Sequence, residues 1–382
     1  MSRSRRKDIF KGRYFLFKKN RFAALSAFAA LCAVFFTLPA ACSSVPEEPE
    51  KIEEPKEIET GDTRETAGAA GEDPAGLPPE NRELPVSAFA EVWGYLINGR
   101  EADFRGGMPL TDIGYFGAEI DTYGKLTGVP NPRNVRGFGG RIHMVVACNG
   151  KALSHFALAE GSPERRALIA DLLRTAENFD GLQIDFENIP QRDGRPFLSF
   201  LAELRAGLPG KLFTIALPAR TRAINADVYD YVKIKPLVDR ILVMAYDEHW
   251  SGSRPGPVAS MDWCRRVAEY SLEVVGREKL IMGLPFYGRA WGHISPSRAY
   301  IYSGIQTIID ENSVQDIRRE NGVPSFDYDV TVSVKVYYED DYSLSARMEM
   351  YRSMGVRAVG FWRIGQEIPS IWDLIQLIDN NG

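Results

Sequence analysis

Cysteine and histidine are scarce, with four of each in 382 residues. Cys32, Cys42, Cys148 and Cys264 show no C-x-x-C spacing, which argues against a disulfide framework or a zinc ribbon. His143, His155, His249 and His293 are scattered, so no metal-ligand set forms and no cofactor is expected. A lone histidine is more often a structural hydrogen-bonder than a ligand. Positive charge is also lacking: the net charge is −5, and nothing argues for nucleic acid. No internal repeat points to a solenoid or propeller. The uncharged run Phe22–Leu38 is slightly short for a membrane span.

That run belongs to a leader. Arg3, Arg5, Arg6, Lys7, Lys18, Lys19 and Arg21 precede it, and Pro39-Ala40-Ala41 supplies small residues behind it. A basic start, an apolar middle and a small-residue exit make residues 1–41 an expected export signal. Cys42 follows at once, and Leu38-Pro39-Ala40-Ala41-Cys42 looks like a loose bacterial lipoprotein box. Cys42 is therefore the expected lipidation site and the membrane attachment. Residues 42–85 are rich in Glu, Pro, Gly and Ala with almost no aromatics. Such a composition cannot bury a core and reads as a disordered acidic tether. Residues 86–382 then form the folded part, and a monomer is expected.

Within that part, short apolar runs alternate with longer amphipathic ones. The runs predict strands over Ala88–Leu96, Asp112–Ala118, Arg141–Ala147, Gly181–Ile189, Leu212–Pro218, Arg240–Tyr246, Leu280–Tyr287 and Ala358–Arg363. Helices are predicted over Pro163–Asn178, with Ser162 as N-cap, and over Pro196–Leu208, Met261–Val275 and Ser343–Met354. This alternation predicts an α/β fold, a closed (β/α)₈ TIM barrel. The connection from 292 to 356 is too long for a loop. Thr331–Tyr338 inside it alternates like a strand, so a small α+β insertion is expected between strands seven and eight.

The most informative stretch is Asp180-Gly181-Leu182-Gln183-Ile184-Asp185-Phe186-Glu187. Leu182, Ile184 and Phe186 alternate with Gln183, Asp185 and Glu187, a period of two. The three polar residues share one face, with a carboxylate pair at the C-terminal end. Two acids this close cannot both ionise freely, so one pKa must rise. A carboxyl kept protonated near neutral pH serves as a general acid. In a barrel of this kind the active site lies at the C-terminal strand ends. Those ends collect Tyr246, Asp247 and Trp250 from strand six, Tyr287 and Arg289 from strand seven, Trp362 from strand eight, and Trp93 and Tyr95 from strand one. Carboxylates ringed by aromatics suit a sugar, whose ring faces stack while polar groups fix the hydroxyls.

These motifs resemble glycoside hydrolase family 18, the chitinase-like enzymes. Asp180 to Glu187 is similar to the family's Asp-x-x-Asp-x-Asp-x-Glu signature. Met244-Ala245-Tyr246-Asp247 resembles its strand-six motif, Gly283 to Arg289 its strand-seven motif, and Trp362 its Trp beneath the scissile sugar. Tyr337-Tyr338-Glu339-Asp340 most resembles the spore-cortex-lytic branch, which acts on peptidoglycan. The resemblance spans about residues 88–372. It implies substrate-assisted retention, in which the substrate's own acetamide attacks the anomeric carbon and Glu187 is acid, then base. Asp185 and Tyr246 would hold the acetamide. Gln183, Asp247, Tyr287 and Arg289 would bind substrate, and Trp93, Trp250 and Trp362 would stack. The partner implied is an N-acetylglucosamine-containing polysaccharide.

Two departures stand out. Gln183 replaces the family's middle Asp; it cannot share a proton, but its amide is expected to hydrogen-bond Asp185. Val146-Ala147-Cys148-Asn149-Gly150 stands where strand three of the family has Ser-x-Gly-Gly. The rival reading is a sugar-binding envelope lipoprotein that has lost catalysis, and the retained Glu187 argues against it.

Overall fold

The computed structural model describes residues 83–292, 298–329 and 333–378. The expected leader, Cys42 and nearly all of the expected tether lie outside the described residues.

Eight parallel strands close on themselves. They are β1 (Glu91–Ile97), β2 (Asp112–Ile120), β3 (Arg141–Asn149), β4 (Gly181–Glu187), β5 (Leu212–Pro218), β6 (Arg240–Met244), β7 (Leu280–Pro285) and β8 (Ala358–Trp362). Each pairs with the next, and β8 returns to β1 with Val359 opposite Val92, which seals the barrel. The helices that surround it are α1 (Lys151–Leu158), α2 (Pro163–Ala176), α3 (Gly194–Gly207), α4 (Tyr231–Ile234), α5 (Met261–Val274) and α7 (Asp341–Ser353), while α6 (Tyr302–Glu311) lies in the segment between β7 and β8. The closed (β/α)₈ barrel expected from the alternation is therefore present.

Local chemistry explains the ends. Ser162 Oγ accepts from Arg165 N at 3.0 Å, and Pro163 supplies a preset first turn for α2. Asp340 and Ser343 form a reciprocal capping box at the start of α7. Strand β4 stops at Glu187 because Asn188 turns to φ 58°, two residues short of the expected end. Strand β6 stops at Met244, before Asp247 at φ 59°.

Period two divides the core into two layers. Leu182, Ile184 and Phe186 point outward to the helices and are buried. Phe186 stacks on Phe200 of α3 with ring centroids 5.5 Å apart. Burying a side chain of that size contributes roughly 1.5–3 kcal/mol. Inside the barrel, Trp93, Tyr95, Val145, Ala216, Leu242, Ile281 and Ala358 form a second cluster. Its floor is charged and its acids are paired: Asp112 accepts from Arg141 Nε at 2.7 Å and meets His143 Nε2 at 2.7 Å, and Glu91 accepts from Arg240 Nη2 at 2.6 Å. Ser87–Phe89 pairs in parallel with Ile375–Leu377, so the described ends of the chain clasp each other.

Between β7 and β8 lies the insertion. Its antiparallel sheet uses Tyr287–Gly292, Arg298–Ile301, Arg318–Glu320, Val323–Asp329 and Ser333–Tyr337, with α6 packed on it through Ile305. The expected seventh strand thus divides at Pro285. Tyr287 opens the insertion sheet instead of ending a barrel strand.

Candidate active site

The inward face of β4 carries Gln183, Asp185 and Glu187 in ascending order toward the mouth. Gln183 is fully buried, Asp185 is partly buried, and Glu187 is exposed. The gradient follows from strand geometry, because each step of two residues rises about 6.5 Å along the barrel.

Gln183 is committed below the cleft. Its Oε1 accepts from Tyr95 Oη at 2.5 Å, and its Nε2 donates to Thr214 Oγ1 at 3.1 Å. The expected bond from its amide to Asp185 is absent, and Asp185 Oδ1 is buried with no hydrogen-bond partner among the described residues. Gln183 was expected to bind substrate; fully buried and clamped from both sides, it supports the cleft from beneath. A buried amide satisfied at both ends costs little, whereas the orphaned carboxyl oxygen above it is expensive.

The carboxyl pair titrates accordingly. Burial first, then the charge of Glu187, pushes Asp185 up to about 8. Glu187 is raised too, by the protein crowding its carboxyl and secondarily by the charge of Asp247. Burial holds the Tyr246 hydroxyl far above the ordinary phenol range, with Tyr95 and Asp185 adding to the effect, so it stays a neutral donor. Both acids at the strand end are thus biased toward their protonated forms, beside a neutral tyrosine hydroxyl.

Asp247 forms the facing wall. Its Oδ1 accepts from Tyr287 Oη at 2.5 Å, Arg289 Nη2 at 2.8 Å and Arg289 Nε at 3.1 Å. Tyr287 and Arg289 lie two apart on the first insertion strand and therefore share a face. Both are buried, at 5% and 8% exposure, so they hold Asp247 rather than line the open cleft. Gly283 lets Tyr246 sit close: a Cβ there would lie 3.0 Å from Tyr246 Cε1.

The aromatics divide. Trp362, at the end of β8, is partly exposed and packs with Tyr95 at 5.6 Å and edge-on with Phe116 at 5.1 Å. Trp250 stands 54% exposed on the loop that leaves Asp247. Trp93 does not belong with them. It is the third residue of β1, fully buried on the barrel floor, stacked on His143 at 4.3 Å and donating to Glu91 at 3.3 Å. Its expected stacking role is withdrawn; it is core.

Several residues escaped the sequence reading. Tyr229 donates to Phe186 O at 3.0 Å and accepts from Ile189 N at 3.1 Å, stapling the turn behind Glu187. Ser154 Oγ donates to Glu187 O at 3.3 Å. Thr214 and Phe116 join from neighbouring strands. Only Thr214 had a usable signal, as a polar residue inside the apolar run of β5. Strand three ends in Asn149, opposite Glu187 in register and exposed.

Asp185 carries a stability cost. In the unfolded chain an Asp titrates near 3.9, whereas in the fold Asp185 holds its proton to about 8. The native state binds more protons between these values, so stability is greatest below the lower one and is lost as pH rises through the higher. Asp185→Asn, neutral throughout, is expected to unfold on the order of 3 °C higher than the wild type at pH about 9, with no gain below pH about 4. Thermal unfolding across that range checks it. A lower midpoint for the variant at high pH would contradict a desolvated Asp185.

A buried acid beneath an exposed one, a neutral tyrosine and a clamped aspartate at the mouth of a closed barrel define a carbohydrate-active hydrolase type of site. The family model for glycosyl hydrolases family 18 matches residues 139–367, more than half of the chain. The chain belongs to that family. YdhD of Bacillus subtilis (strain 168), a candidate sporulation-specific glycosylase, is 33% identical over 211 residues, 51% of this chain and 49% of YdhD. The chain thus spans about half the length of that relative. The cortical fragment-lytic enzyme of Bacillus subtilis is 24% identical over 324 residues, 78% of this chain and 75% of that protein. Among solved structures, the Bacillus cereus spore cortex-lytic enzyme SleL superposes with TM-score 0.68 at 20% identity, covering 76% of each chain. A chitinase from Chromobacterium violaceum superposes with TM-score 0.67 at 22% identity, covering 75% of this chain and 97% of its own. At these identities the superpositions speak for the fold.

Proposed function

We propose that the protein hydrolyses β-linked, N-acetylglucosamine-containing polysaccharide outside the cytoplasm by substrate-assisted retention, with peptidoglycan as the first substrate. The Asp185–Glu187 pair at the cleft carries the reading. Glu187 is accessible and holds a raised pKa, as a general acid for the glycosidic oxygen requires. The substrate's acetamide oxygen attacks the anomeric carbon, and the leaving oxygen takes the Glu187 proton. In the reacting state the proton of the pair sits on Glu187, so that Asp185, ionised, accepts from the acetamide N–H and offsets the positive charge of the cyclised intermediate. Tyr246 donates to the acetamide from the facing wall. Glu187, now a carboxylate, then deprotonates the water that reopens the ring.

Proton NMR of the first-formed product tests retention. Hydrolysis of a β-linked oligomer should release the β-anomer before mutarotation; initial release of the α-anomer would rule out the double inversion.

The leader and Cys42 favour an envelope substrate over external chitin. Lipidation at Cys42 would attach the mature protein, since several acyl chains together hold where one binds reversibly. Cys42→Ala is expected to release the protein from the membrane fraction or leave it unprocessed. Membrane partition of that variant at its mature mass would refute the lipid anchor.

A further inference from the structure

A buried ion pair away from the carboxylates links three elements: the insertion, α7 and the loop that follows β6. Glu339, at the exit of the insertion, and Arg347, on α7, are each 1% exposed. Arg347 Nη2 donates to Glu339 Oε2 at 3.1 Å and Oε1 at 3.2 Å. The same Nη2 donates to Ala259 O at 2.7 Å, at the end of the loop that starts at Asp247. Ser343 Oγ, in the first turn of α7, donates to Glu339 Oε2 at 2.8 Å. The insertion touches that loop end a second time, where Met261 N donates to Asn321 O at 3.3 Å.

Beyond Ala259 the loop is internally braced. Glu248 N donates to Val258 O at 2.8 Å, His249 Nδ1 meets Pro257 O at 2.8 Å, and Ser253 N donates to Trp250 O at 2.9 Å. Gly252 lies flat against the Trp250 ring, where a Cβ would come within 2.4 Å of Cζ3. The loop is therefore tied to itself at several points, and its far end is held by Arg347 on Ala259 O and by Ser260 N donating to Glu248 Oε2 at 2.8 Å. Trp250 is its exposed tip.

Arg347 is costly for the core it occupies. Its Nε and Nη1 are buried without hydrogen-bond partners among the described residues. A buried ion pair can often be replaced by apolar residues at no loss of stability, whereas this pair fixes one specific arrangement of the three elements it joins. We propose that Glu339 and Arg347 are positioning residues that hold the 247–259 loop, and with it Trp250, as a stacking platform for sugars beyond the reacting one. They thereby set a preference for long glycan chains. This rests on the glycosidase reading above.

The test compares Arg347→Met, Trp250→Ala and the double variant, with Glu339→Gln as a second probe should Arg347→Met fail to fold. Hydrogen exchange should rise about tenfold within 248–259 in Arg347→Met, a local opening that leaves Asp247 and the barrel protected. KM for a long glycan should rise roughly 3–10-fold in Arg347→Met, with kcat on a chromogenic disaccharide unchanged. In the double variant KM should rise no further than in Trp250→Ala, because both changes remove one interaction. Unchanged exchange, equal loss on both substrates, or additive effects would overturn the proposal. Should the wild type cleave neither substrate, the functional reading fails. The positioning role is then judged separately, by exchange and by calorimetric binding of the long glycan, and unaltered values in Arg347→Met would refute it.

Discussion

Glu187→Gln is expected to lower turnover of an N-acetylglucosamine oligomer by roughly 10²–10⁴-fold while glycan binding survives. Gln fills the same space at the end of β4 but has no transferable proton. The supports behind it, Ser154 on the backbone carbonyl and Tyr229 on the following turn, do not depend on the carboxyl. The loss should therefore fall on kcat with KM little changed. Removing one acid also removes the charge that raises Asp185, so the variant's Asp185 should titrate lower than in the wild type. Steady-state kinetics and a binding isotherm check both statements. Wild-type-like turnover would sink the assignment of the acid.

Removing the substrate's acetamide should be as damaging. Glucose oligomers of matching linkage are expected to react at least on the order of 10³-fold more slowly, because a well-placed internal nucleophile contributes a large effective molarity. The protein offers no good substitute. Asp185 sits two residues below Glu187 on the same strand and projects beside it, not from an opposite wall. Asp247 faces the pair, but its Oδ1 carries all three hydrogen bonds from Tyr287 and Arg289, which fix it as a positioning group. A retaining enzyme with its own nucleophile needs two carboxyls about 5–5.5 Å apart on opposing sides of the sugar. A thiazoline mimic of the cyclised intermediate should bind more tightly than substrate. A covalent sugar trapped on Asp185 or Asp247, or equal rates with and without the acetamide, would overturn the mechanism.

The carboxylate face was legible because a period of two survives any error in strand ends. Gln183, Asp185 and Glu187 share a face wherever β4 stops. Height along the barrel was not legible. Trp93 and Tyr95 have the same parity on β1, and only the pairing of Trp93 with Asp112 reveals that Trp93 lies on the floor. The same blindness put Gln183 in the cleft. Its partners Tyr95 and Thr214 come from β1 and β5, contacts of long sequence separation that no local pattern encodes. Pro285 is the local signal for the division of the seventh strand, since proline ends a central strand and separates Tyr287 from β7. Helices α1 and α6 were missed because each starts without a side-chain cap, after Gly150 and Ile301, and because neither is long enough for its periodicity to stand out.

Digestion of purified peptidoglycan, read by mass spectrometry beside N-acetylglucosamine oligomers, tests the central claim most directly. The wild type should release muropeptide fragments bearing a new reducing N-acetylglucosamine end, and Glu187→Gln should release none. Intact glycan after exposure to the wild type, with the chitin oligomers equally untouched, would contradict a glycosidase at this cleft and favour a protein that binds sugar without cleaving it.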